Sequence, residues 1–271
     1  MDGNRRYARK LGLGHIINGH VMGFEKLAES LGWCRDLGIK EVTVYAFSIE
    51  NFKRSKEEVD GIMKLAADKL TDLIAEQESL EKYEVCVRFL GDVTLLPADI
   101  RQLIARITNM TKTYSRYRLN VCIAYTSQDE ICRSIRSIVE GVRASQLDSS
   151  DIDDDLIQRC LDTADSGPPD LLIRTSGEYR LSDFLLMQTS KTCIHFESVL
   201  WPEFSFRHLC YAILRYQCNI AYMNKLFDPS VDKSVENSAP DIEDDSKQKR
   251  LDDFLRFRDE ERLKQLTLAS D

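Results

Sequence analysis

The chain has 271 residues, of which 43% are hydrophobic and 30% are charged, and its formal net charge is −8. This length suits one large domain or a domain with an appendage. Because no basic surplus is present to neutralise a phosphate backbone, the composition argues against a general nucleic-acid binder. No apolar run approaches the roughly 20 residues that span a bilayer, and no signal-peptide pattern is present. The eight scattered cysteines, without a C-x-x-C pair, favour reduced, buried thiols.

The first segment combines Asp2 and Gly3 with Asn4, Arg5 and Arg6. Arginine presents a rigid fork of donors to phosphate oxygens, and glycine lets the backbone approach a ligand closely. Asp2 adds a hard oxygen ligand of the kind that Mg²⁺ takes beside substrate phosphates. We therefore expect a turn that leads into a helix, whose free amides favour an anion. The alternative interpretation is a disordered chain start with solvated charges.

A helix is predicted next, over residues 20–37, with His20 at its start. A histidine in that place is more often a cap or a surface residue than a catalyst. The strand Glu41–Ser48 follows and runs into a loop with an aromatic ring, a hydroxyl, an amide and a guanidinium. These groups belong to Phe47, Ser48, Asn51 and Arg54. The mixture suits an allylic substrate with an apolar chain and a phosphate, and the alternative is an ordinary strand-to-helix loop.

The helix that begins after Ser55 has the clearest pattern. Ser55, with Glu58 three residues later, predicts a capping box. Apolar residues then recur on one helical face, namely Val59, Ile62, Met63, Ala66, Leu70, Leu73 and Ile74. This face predicts a helix that packs on a core.

The rest of the chain alternates apolar strands with helices, which indicates an α/β fold with a mostly parallel sheet flanked by helices. The further predicted strands are 84–90, Tyr117–Tyr125, Leu171–Arg174 and 192–196. The further predicted helices are 98–113, 128–144, 182–190 and 204–218.

A second candidate anion site follows the strand Leu171–Arg174. A charge directly after an apolar strand must be paired or face a cavity, so Arg174 is a candidate ligand at the carboxyl edge of the sheet. Arg180 and Ser182 follow closely. Their alternative roles are a surface ion pair and a helix cap. The two clusters together predict a diphosphate substrate, or two of them.

The composition changes near residue 228. We predict one catalytic domain over residues 1–227, a flexible acidic linker over 228–245 and a charged helix over 246–271. Because the charges of that helix are mixed, a solvated or partner-docking helix is favoured over one on a membrane surface.

Six segments, in this order, resemble the cis-prenyltransferase family of undecaprenyl and dehydrodolichyl diphosphate synthases. They are MDGNRRYARK, VTVYAFSIENFKRS, RFLGD, LNVCIAYTS, LIRTSGEYRLSDFLL and VLWPEF, and they extend from residue 1 to about residue 218. The resemblance implies a twisted, mostly parallel sheet beside an elongated hydrophobic tunnel, with the helix after Ser55 as one wall. It implies an enzyme that adds isopentenyl diphosphate units to farnesyl diphosphate. The product would be a long-chain polyprenyl (dehydrodolichyl) diphosphate for dolichol synthesis and protein glycosylation.

The resemblance also implies roles for individual residues. Asp2 resembles an aspartate that binds Mg²⁺. The catalytic set implied is Asp2, Asn4, His20, Ser48 and Asn51, with His20 assisting departure of the diphosphate. The allylic diphosphate would be bound by Gly3, Arg5, Arg6 and Arg54, beside the ring of Phe47. Isopentenyl diphosphate would be bound by Arg174, Arg180 and Ser182.

Four features depart from the family pattern. The family has an apolar strand directly before the first motif, so we expect the first strand of the sheet to be missing here. Asp2 would then hang from a free terminus, with weak or no activity as the consequence. Ile16 stands near the place of a family arginine, and Cys193 stands where bacterial members have a metal-binding glutamate. The carboxyl-terminal R-x-G motif is not found.

The last two departures resemble eukaryotic subunits, which take the missing motif from a homologous subunit of the Nogo-B receptor type. The resemblance thus implies a heteromer at the cytoplasmic face of the endoplasmic reticulum membrane, attached peripherally through that partner. Two alternatives remain open. One is a truncated, catalytically weak or silent isoform that binds the partner, and the other is a different phosphate-binding α/β enzyme.

Overall fold

The computed structural model describes residues 1–226 and 245–267. Its strands are β1 Glu41–Ser48, β2 Val85–Leu90, β3 Tyr117–Tyr125, β4 Leu171–Arg174 and β5 Cys193–Phe196. Its helices are α1 Asn4–Lys10, α2 Ile16–Asp36, α3 Lys56–Ala75, α4 Gln77–Tyr83, α5 Ala98–Thr111, α6 Ser127–Arg143, α7 Asp154–Arg159, α8 Phe206–Leu226 and α9 Asp245–Thr267. This alternation confirms the predicted α/β fold class.

The strands pair in parallel, as the apolar runs predicted. β3 lies between β1 and β2, so that Val121 stands opposite both Val44 and Phe89. β4 pairs with β5 through Leu172 and Ile194. Within the described residues these pairings give a three-stranded and a two-stranded sheet, and a cavity lies between β1 and β4. In the described part of the chain, the helices α1 and α2 precede β1.

Helices cover the larger sheet on both sides. Val87 of β2 and Ile123 of β3 share a buried cluster with Ile104 of α5, and α3 packs against the same cluster. Val44 of β1 belongs to a second cluster, with Leu27 of α2 and with α8. Burial on both faces is the reason that these strands are apolar at nearly every residue.

α2 begins earlier than the sequence predicted. Its first residue is Ile16, and the Ile17 N–H donates to Nδ1 of His15 over 3.3 Å, which caps the helix. Histidine is not among the usual capping residues, so local sequence gave no signal for this start. His20 therefore lies one turn inside α2 rather than at its beginning.

The start of α3 agrees with the prediction only in part. The Glu58 N–H donates to Oγ of Ser55 over 3.4 Å, which is the expected cap. The Glu58 carboxylate accepts from Arg54 over 2.9 Å instead. The apolar face of α3 packs on the core, while Ile62 also lines the cavity between the sheets.

The predicted helix over residues 182–190 is wrong. The structure has turns there, with φ of 53° at Ser182, 58° at Asp183 and 49° at Leu185. A right-handed helix requires negative φ, so these residues cannot continue one. The segment is instead held by long-range hydrogen bonds to the start of α6.

α9 packs on its own chain. Leu251 and Phe254 are buried in a cluster with Ile138 of α6 and with α7. The prediction of a solvated or partner-docking helix is therefore wrong for this apolar face. The predicted linker 228–245 lies outside the described residues, except for Asp245, with which α9 begins.

Candidate active site

A cavity of about 1470 Å³ opens between β1, β4 and the start of the chain. Every site residue proposed from the sequence lines it. The charged side chains gather at the carboxyl ends of β1 and β4, where ligands bind in parallel sheets. The remaining wall includes apolar side chains from Leu27, Leu31, Val42, Val44 and Ile173. One cavity thus joins a charged region to an apolar one.

Three hydrogen bonds hold the backbone of Asp2. Its carbonyl oxygen accepts from the Trp201 N–H over 3.0 Å and from Oγ of Ser176 over 2.5 Å. Its own N–H donates to Oγ1 of Thr175 over 3.3 Å. The expectation that Asp2 hangs loosely is therefore wrong, because residues far along the chain hold its backbone by hydrogen bonds.

The carboxylate of Asp2 is also held. Oδ1 accepts from the Gly3 N–H over 2.7 Å, and Oδ2 accepts from Nη2 of Arg174 over 3.2 Å. Partial burial by itself raises the pKa of Asp2, but the Gly3 hydrogen bond and the Arg174 guanidinium outweigh it. The net effect is a pKa below the ordinary value, so Asp2 is ionised at neutral pH.

Gly3 permits this arrangement. Its φ is 101°, in the region that favours glycine. A Cβ built there would meet Oγ of Ser176 and would come within 2.9 Å of Cδ2 of Leu200. The glycine thus lets the first motif lie directly against the loop that follows β4.

Arg174 connects the two clusters. Its Nη2 reaches Asp2, while its Nη1 donates to Oγ of Ser182 over 2.9 Å and to the carbonyl oxygen of Arg180. The side chain is only 12% exposed. The two ends of one guanidinium therefore serve two different segments of the site.

Glu178 holds a pair of arginines that belong to different clusters. Its carboxylate lies 3.1 Å from Nη2 of Arg6 and also pairs with Nη1 of Arg180. Arg6 donates in addition to the carbonyl oxygen of Ser176 over 3.1 Å. The side chain of Arg180 is 63% exposed, so its ion pair with Glu178 contributes little to stability. In the structure, Arg180 therefore forms the surface ion pair that was given as the alternative to a ligand-binding role.

Glu58 forms ion pairs with a second pair of arginines. It accepts from Nη1 of Arg54 over 2.9 Å and lies 3.6 Å from Nη1 of Arg5. Sequence reasoning gave Glu58 only a capping role and gave Glu178 none. The i,i+4 spacing of Arg54 and Glu58 could have predicted their ion pair from the sequence. The pair between Arg6 and Glu178 could not be predicted in this way, because the two residues are far apart in the sequence.

His20 is neutral in this environment. Burial lowers its pKa to about 4, and the nearby charges of Arg54 and Arg5 act in the same direction. Nε2 of His20 is buried without a hydrogen-bond partner in the described part of the chain, as is Oδ1 of Asn4. Both atoms belong to residues that line the cavity. An uncharged imidazole there is available to hydrogen-bond a ligand.

The close packing of α1 on α2 fixes Asn4. A Cβ at Gly19 would collide with the Asn4 carbonyl, and one at Gly23 would collide with the Asn4 side chain. The two glycines on one face of α2 therefore allow the first motif to press against that helix.

Ser48 and Asn51 are engaged with each other's backbone. The Ser48 N–H donates to Oδ1 of Asn51 over 3.2 Å, and Oγ of Ser48 accepts from the Glu50 N–H over 3.2 Å. Phe47 is buried and packs edge to face on Phe52 at 4.9 Å between ring centroids. The structure therefore brings these three residues to the cavity wall, where they also shape the turn after β1.

The donor set fits a magnesium ion that is held mainly by substrate. No group of three or more His, Cys, Asp or Glu side chains suits a metal ion in residues 1–226 and 245–267. Mg²⁺ often uses only one or two carboxylates together with water and substrate phosphates. Asp2, ionised and 43% exposed beside the arginines, meets that requirement.

These features define a class of protein. Anchored arginines and one accessible carboxylate stand at the carboxyl edge of a parallel sheet, and an apolar cavity extends from them. Such a site suits molecules with a phosphorylated head and a hydrocarbon chain.

Comparison with known proteins agrees with this class. A family profile for undecaprenyl diphosphate synthases, the prenyltransferase family, matches residues 1–222. The chain belongs to this cis-prenyltransferase family, as the sequence motifs predicted, and its members are transferases of prenyl groups.

The chain is similar in sequence to polyprenyl diphosphate synthases from eukaryotes and archaea. The chain is 55% identical over 228 residues to the human dehydrodolichyl diphosphate synthase complex subunit DHDDS, a match that covers 84% of this chain and 68% of the human protein. It is 43% identical over 219 residues to a tritrans,polycis-undecaprenyl-diphosphate synthase (geranylgeranyl-diphosphate specific) of Methanocaldococcus jannaschii, covering 80% of this chain and 78% of that one.

A solved structure shows the same fold. Lavandulyl diphosphate synthase from Lavandula x intermedia, in complex with dimethylallyl diphosphate, superposes with a TM-score of 0.75 at 30% identity. The match covers 80% of this chain and 92% of the plant chain.

Proposed function

We propose that this chain condenses isopentenyl diphosphate units onto farnesyl diphosphate and makes a long-chain polyprenyl, dehydrodolichyl, diphosphate for dolichol synthesis and protein glycosylation. The observation that carries the proposal is the single cavity that joins the charged cluster around Asp2 and Arg174 to an apolar wall. Membership of the prenyltransferase family and the name of the human relative support the same reaction.

The allylic diphosphate is assigned to the first cluster. Arg5, Arg6 and Arg54 all line the cavity, and each is paired with a carboxylate of Glu58 or Glu178. A diphosphate carries more charge than one carboxylate and accepts bidentate hydrogen bonds, so it replaces these pairs as the arginines turn toward it. The isoprenoid chain then lies along the apolar wall.

The isopentenyl diphosphate is assigned to Arg174, Arg180 and Ser182. Arg174 is held by Ser182 and Asp2, so its orientation is set before substrate arrives. Arg180 is exposed and follows its substrate into place. Two diphosphates held this close bring the allylic carbon and the isopentenyl double bond together, which removes an entropic part of the barrier.

The chemistry requires stabilisation of a leaving diphosphate. Asp2 would hold Mg²⁺, which when bound neutralises negative charge on phosphate oxygens. The arginines add fixed donors where charge develops, and the neutral His20 offers a hydrogen bond without adding charge. Apolar residues around the carbon skeleton keep water from the electron-poor allylic carbon.

Product analysis tests this proposal. Radiolabelled isopentenyl diphosphate is supplied with farnesyl diphosphate, Mg²⁺ and the homologous partner subunit, and extracted polyprenols are sized. We expect long cis-polyprenyl products from the wild type and a loss of at least about 10-fold for Arg174→Ala. Arg106→Ala, which removes an exposed arginine of α5, serves as the matched control. Absence of labelled product with the wild type contradicts the proposal.

The silent-isoform alternative rested on a loosely held Asp2. The hydrogen bonds from Trp201, Ser176 and Arg174 remove that argument. The alternative of an unrelated phosphate-binding enzyme is set aside by membership of the prenyltransferase family.

We also propose a heteromer with a Nogo-B receptor-type homologous subunit, attached peripherally at the cytoplasmic face of the endoplasmic reticulum. The human relative's name, a complex subunit, supports this proposal. Among the described residues, none of the helices has both the length and the apolar character needed to cross a bilayer. Co-expression with the partner is expected to raise activity and to move the chain into the membrane fraction. Full activity of the lone, soluble chain argues against the heteromer.

A further inference from the structure

The segment after the second arginine cluster has no regular structure, yet it carries Ser182, which holds Arg174. Its backbone has positive φ at Ser182, Asp183 and Leu185. Such conformations persist only when surrounding contacts determine them. The orientation of Arg174 therefore depends on whatever fixes residues 182–188.

The first turn of α6 fixes the front of this segment. The Ser127 N–H donates to the Asp183 carbonyl over 2.8 Å, and the Gln128 N–H donates to Oδ1 of Asp183 over 3.0 Å. Oγ of Ser127 accepts from the Leu186 N–H over 2.8 Å. The free amides at the start of α6 are thus used to hold a neighbouring loop.

Glu130, one turn further along α6, fixes the end of the segment. It is 1% exposed, and its Oε2 accepts from Nε2 of Gln188 over 3.0 Å and from the Tyr125 hydroxyl over 2.6 Å. Its Oε1 accepts from the Asp162 N–H over 2.9 Å. Three donors from three different segments therefore converge on one buried carboxylate. Gln188 itself lines the active-site cavity.

Aromatic packing ties the same residues to β1. The ring of Phe184 stacks on Tyr45 with 4.6 Å between centroids and meets Tyr125 edge to face at 6.1 Å. The Tyr45 hydroxyl donates to the Tyr125 carbonyl over 3.0 Å. Tyr125 thus supports the segment with its ring while its hydroxyl holds Glu130.

We propose that Glu130 is a positioning residue for the isopentenyl diphosphate subsite, acting through Gln188 and the 182–188 segment on Ser182 and Arg174. This inference rests on the proposed function and names a residue that never touches the substrate. A carboxylate is needed because Oε1 and Oε2 must both accept. A glutamine at this position turns one acceptor into a donor that faces another donor.

Steady-state kinetics of Glu130→Gln test the inference, with each substrate varied in turn. We expect the KM for isopentenyl diphosphate to rise by about 10-fold or more, while the KM for farnesyl diphosphate changes by less than about twofold. Glu140→Gln, on an exposed position of the same helix, is the matched control and is expected to stay within about twofold of the wild type in both.

A second variant guards against simple misfolding. Gln188→Met removes the amide donor from a half-buried position and keeps the side-chain length. We expect it to raise the KM for isopentenyl diphosphate. We expect the double variant with Glu130→Gln to be no worse than the stronger single variant, because both changes break the hydrogen bond between Glu130 and Gln188.

The outcomes are distinct. If the wild type incorporates no isopentenyl unit, the proposed function fails and not the positioning role. If the wild type is active and both variants keep its KM for isopentenyl diphosphate, Glu130 does not position the subsite. A parallel fall in both substrates' kcat/KM, matched by loss of folded protein in circular dichroism, assigns Glu130 a purely structural role and overturns the inference.

Discussion

Arg174→Lys separates the geometry of the central guanidinium from its charge. Nη2 of Arg174 reaches Asp2 over 3.2 Å, while Nη1 serves Ser182 over 2.9 Å and the carbonyl of Arg180. Lysine has a single nitrogen on a flexible stem and cannot bridge both sets of partners. The substitution therefore loses at least one charge-assisted hydrogen bond, worth roughly 1.5–3 kcal/mol. That loss corresponds to a fall of about 10-fold to 150-fold in kcat/KM for isopentenyl diphosphate.

The assay measures initial incorporation of labelled isopentenyl diphosphate at saturating farnesyl diphosphate. Arg106→Lys is the matched control, since Arg106 is an exposed arginine of α5 and is not among the residues that line the cavity. We expect a loss below about twofold for that control, as for other exposed side chains away from the site. Wild-type kinetics for Arg174→Lys, or equal losses for both variants, would refute the bridging role of Arg174.

Three further changes probe other parts of the molecule. Because burial lowers the pKa of His20 to about 4, its neutral form contributes stability that is present above about pH 6.5 and is lost as the pH falls toward 4. Urea unfolding at several pH values should therefore show that the free energy of unfolding falls less steeply with decreasing pH in His20→Asn than in the wild type. Gly3→Ala should lower activity far more than Gly12→Ala, because both glycines have positive φ but a Cβ collides with Ser176 and Leu200 only at Gly3; equal activities contradict this. Phe254→Ala should lower the free energy of unfolding by up to about 3–5 kcal/mol, and by less if α9 detaches while the rest of the domain stays folded. Phe257→Ala, at a half-exposed position of the same helix, should lower it by less than about 0.5 kcal/mol. Equal urea midpoints for the two variants would refute the packing of α9 on the domain.

The strands were predictable because their signal is local. Glu41–Ser48, Tyr117–Tyr125 and Leu171–Arg174 have the bounds that their apolar runs predicted. Burial on both faces leaves little room for polar residues, so such runs have clear ends. The positions of ligand-binding groups at the strand ends followed from the same rule.

The segment after Arg174 was not predictable in this way. Residues 182–190 have the composition of a short helix, but Asp183 has a left-handed backbone and accepts hydrogen bonds from the first amides of α6. These hydrogen bonds join residues more than fifty positions apart, so no pattern in the local sequence predicts them. The roles of Glu178 and Glu130 were hidden for the same reason.

The backbone of Asp2 is held by long-range contacts that the local sequence does not reveal. The sequence suggested that Asp2 lacks the strand that would hold it, yet Trp201 and Ser176 hold its carbonyl from the other side of the domain. The packing of α9 on its own chain was not predicted: its mixed charges indicated a solvated or partner-docking helix, whereas Leu251 and Phe254 are buried against α6 and α7.

The most direct test of the central claim is a crystal structure with a non-hydrolysable farnesyl diphosphate analogue, isopentenyl diphosphate and Mg²⁺. We expect one pyrophosphate group among Arg5, Arg6 and Arg54, a second against Arg174, and the hydrocarbon chain along the wall that contains Val42 and Val44. Electron density for either pyrophosphate outside this cavity, with Arg174 still paired only to Asp2 and Ser182, would contradict it.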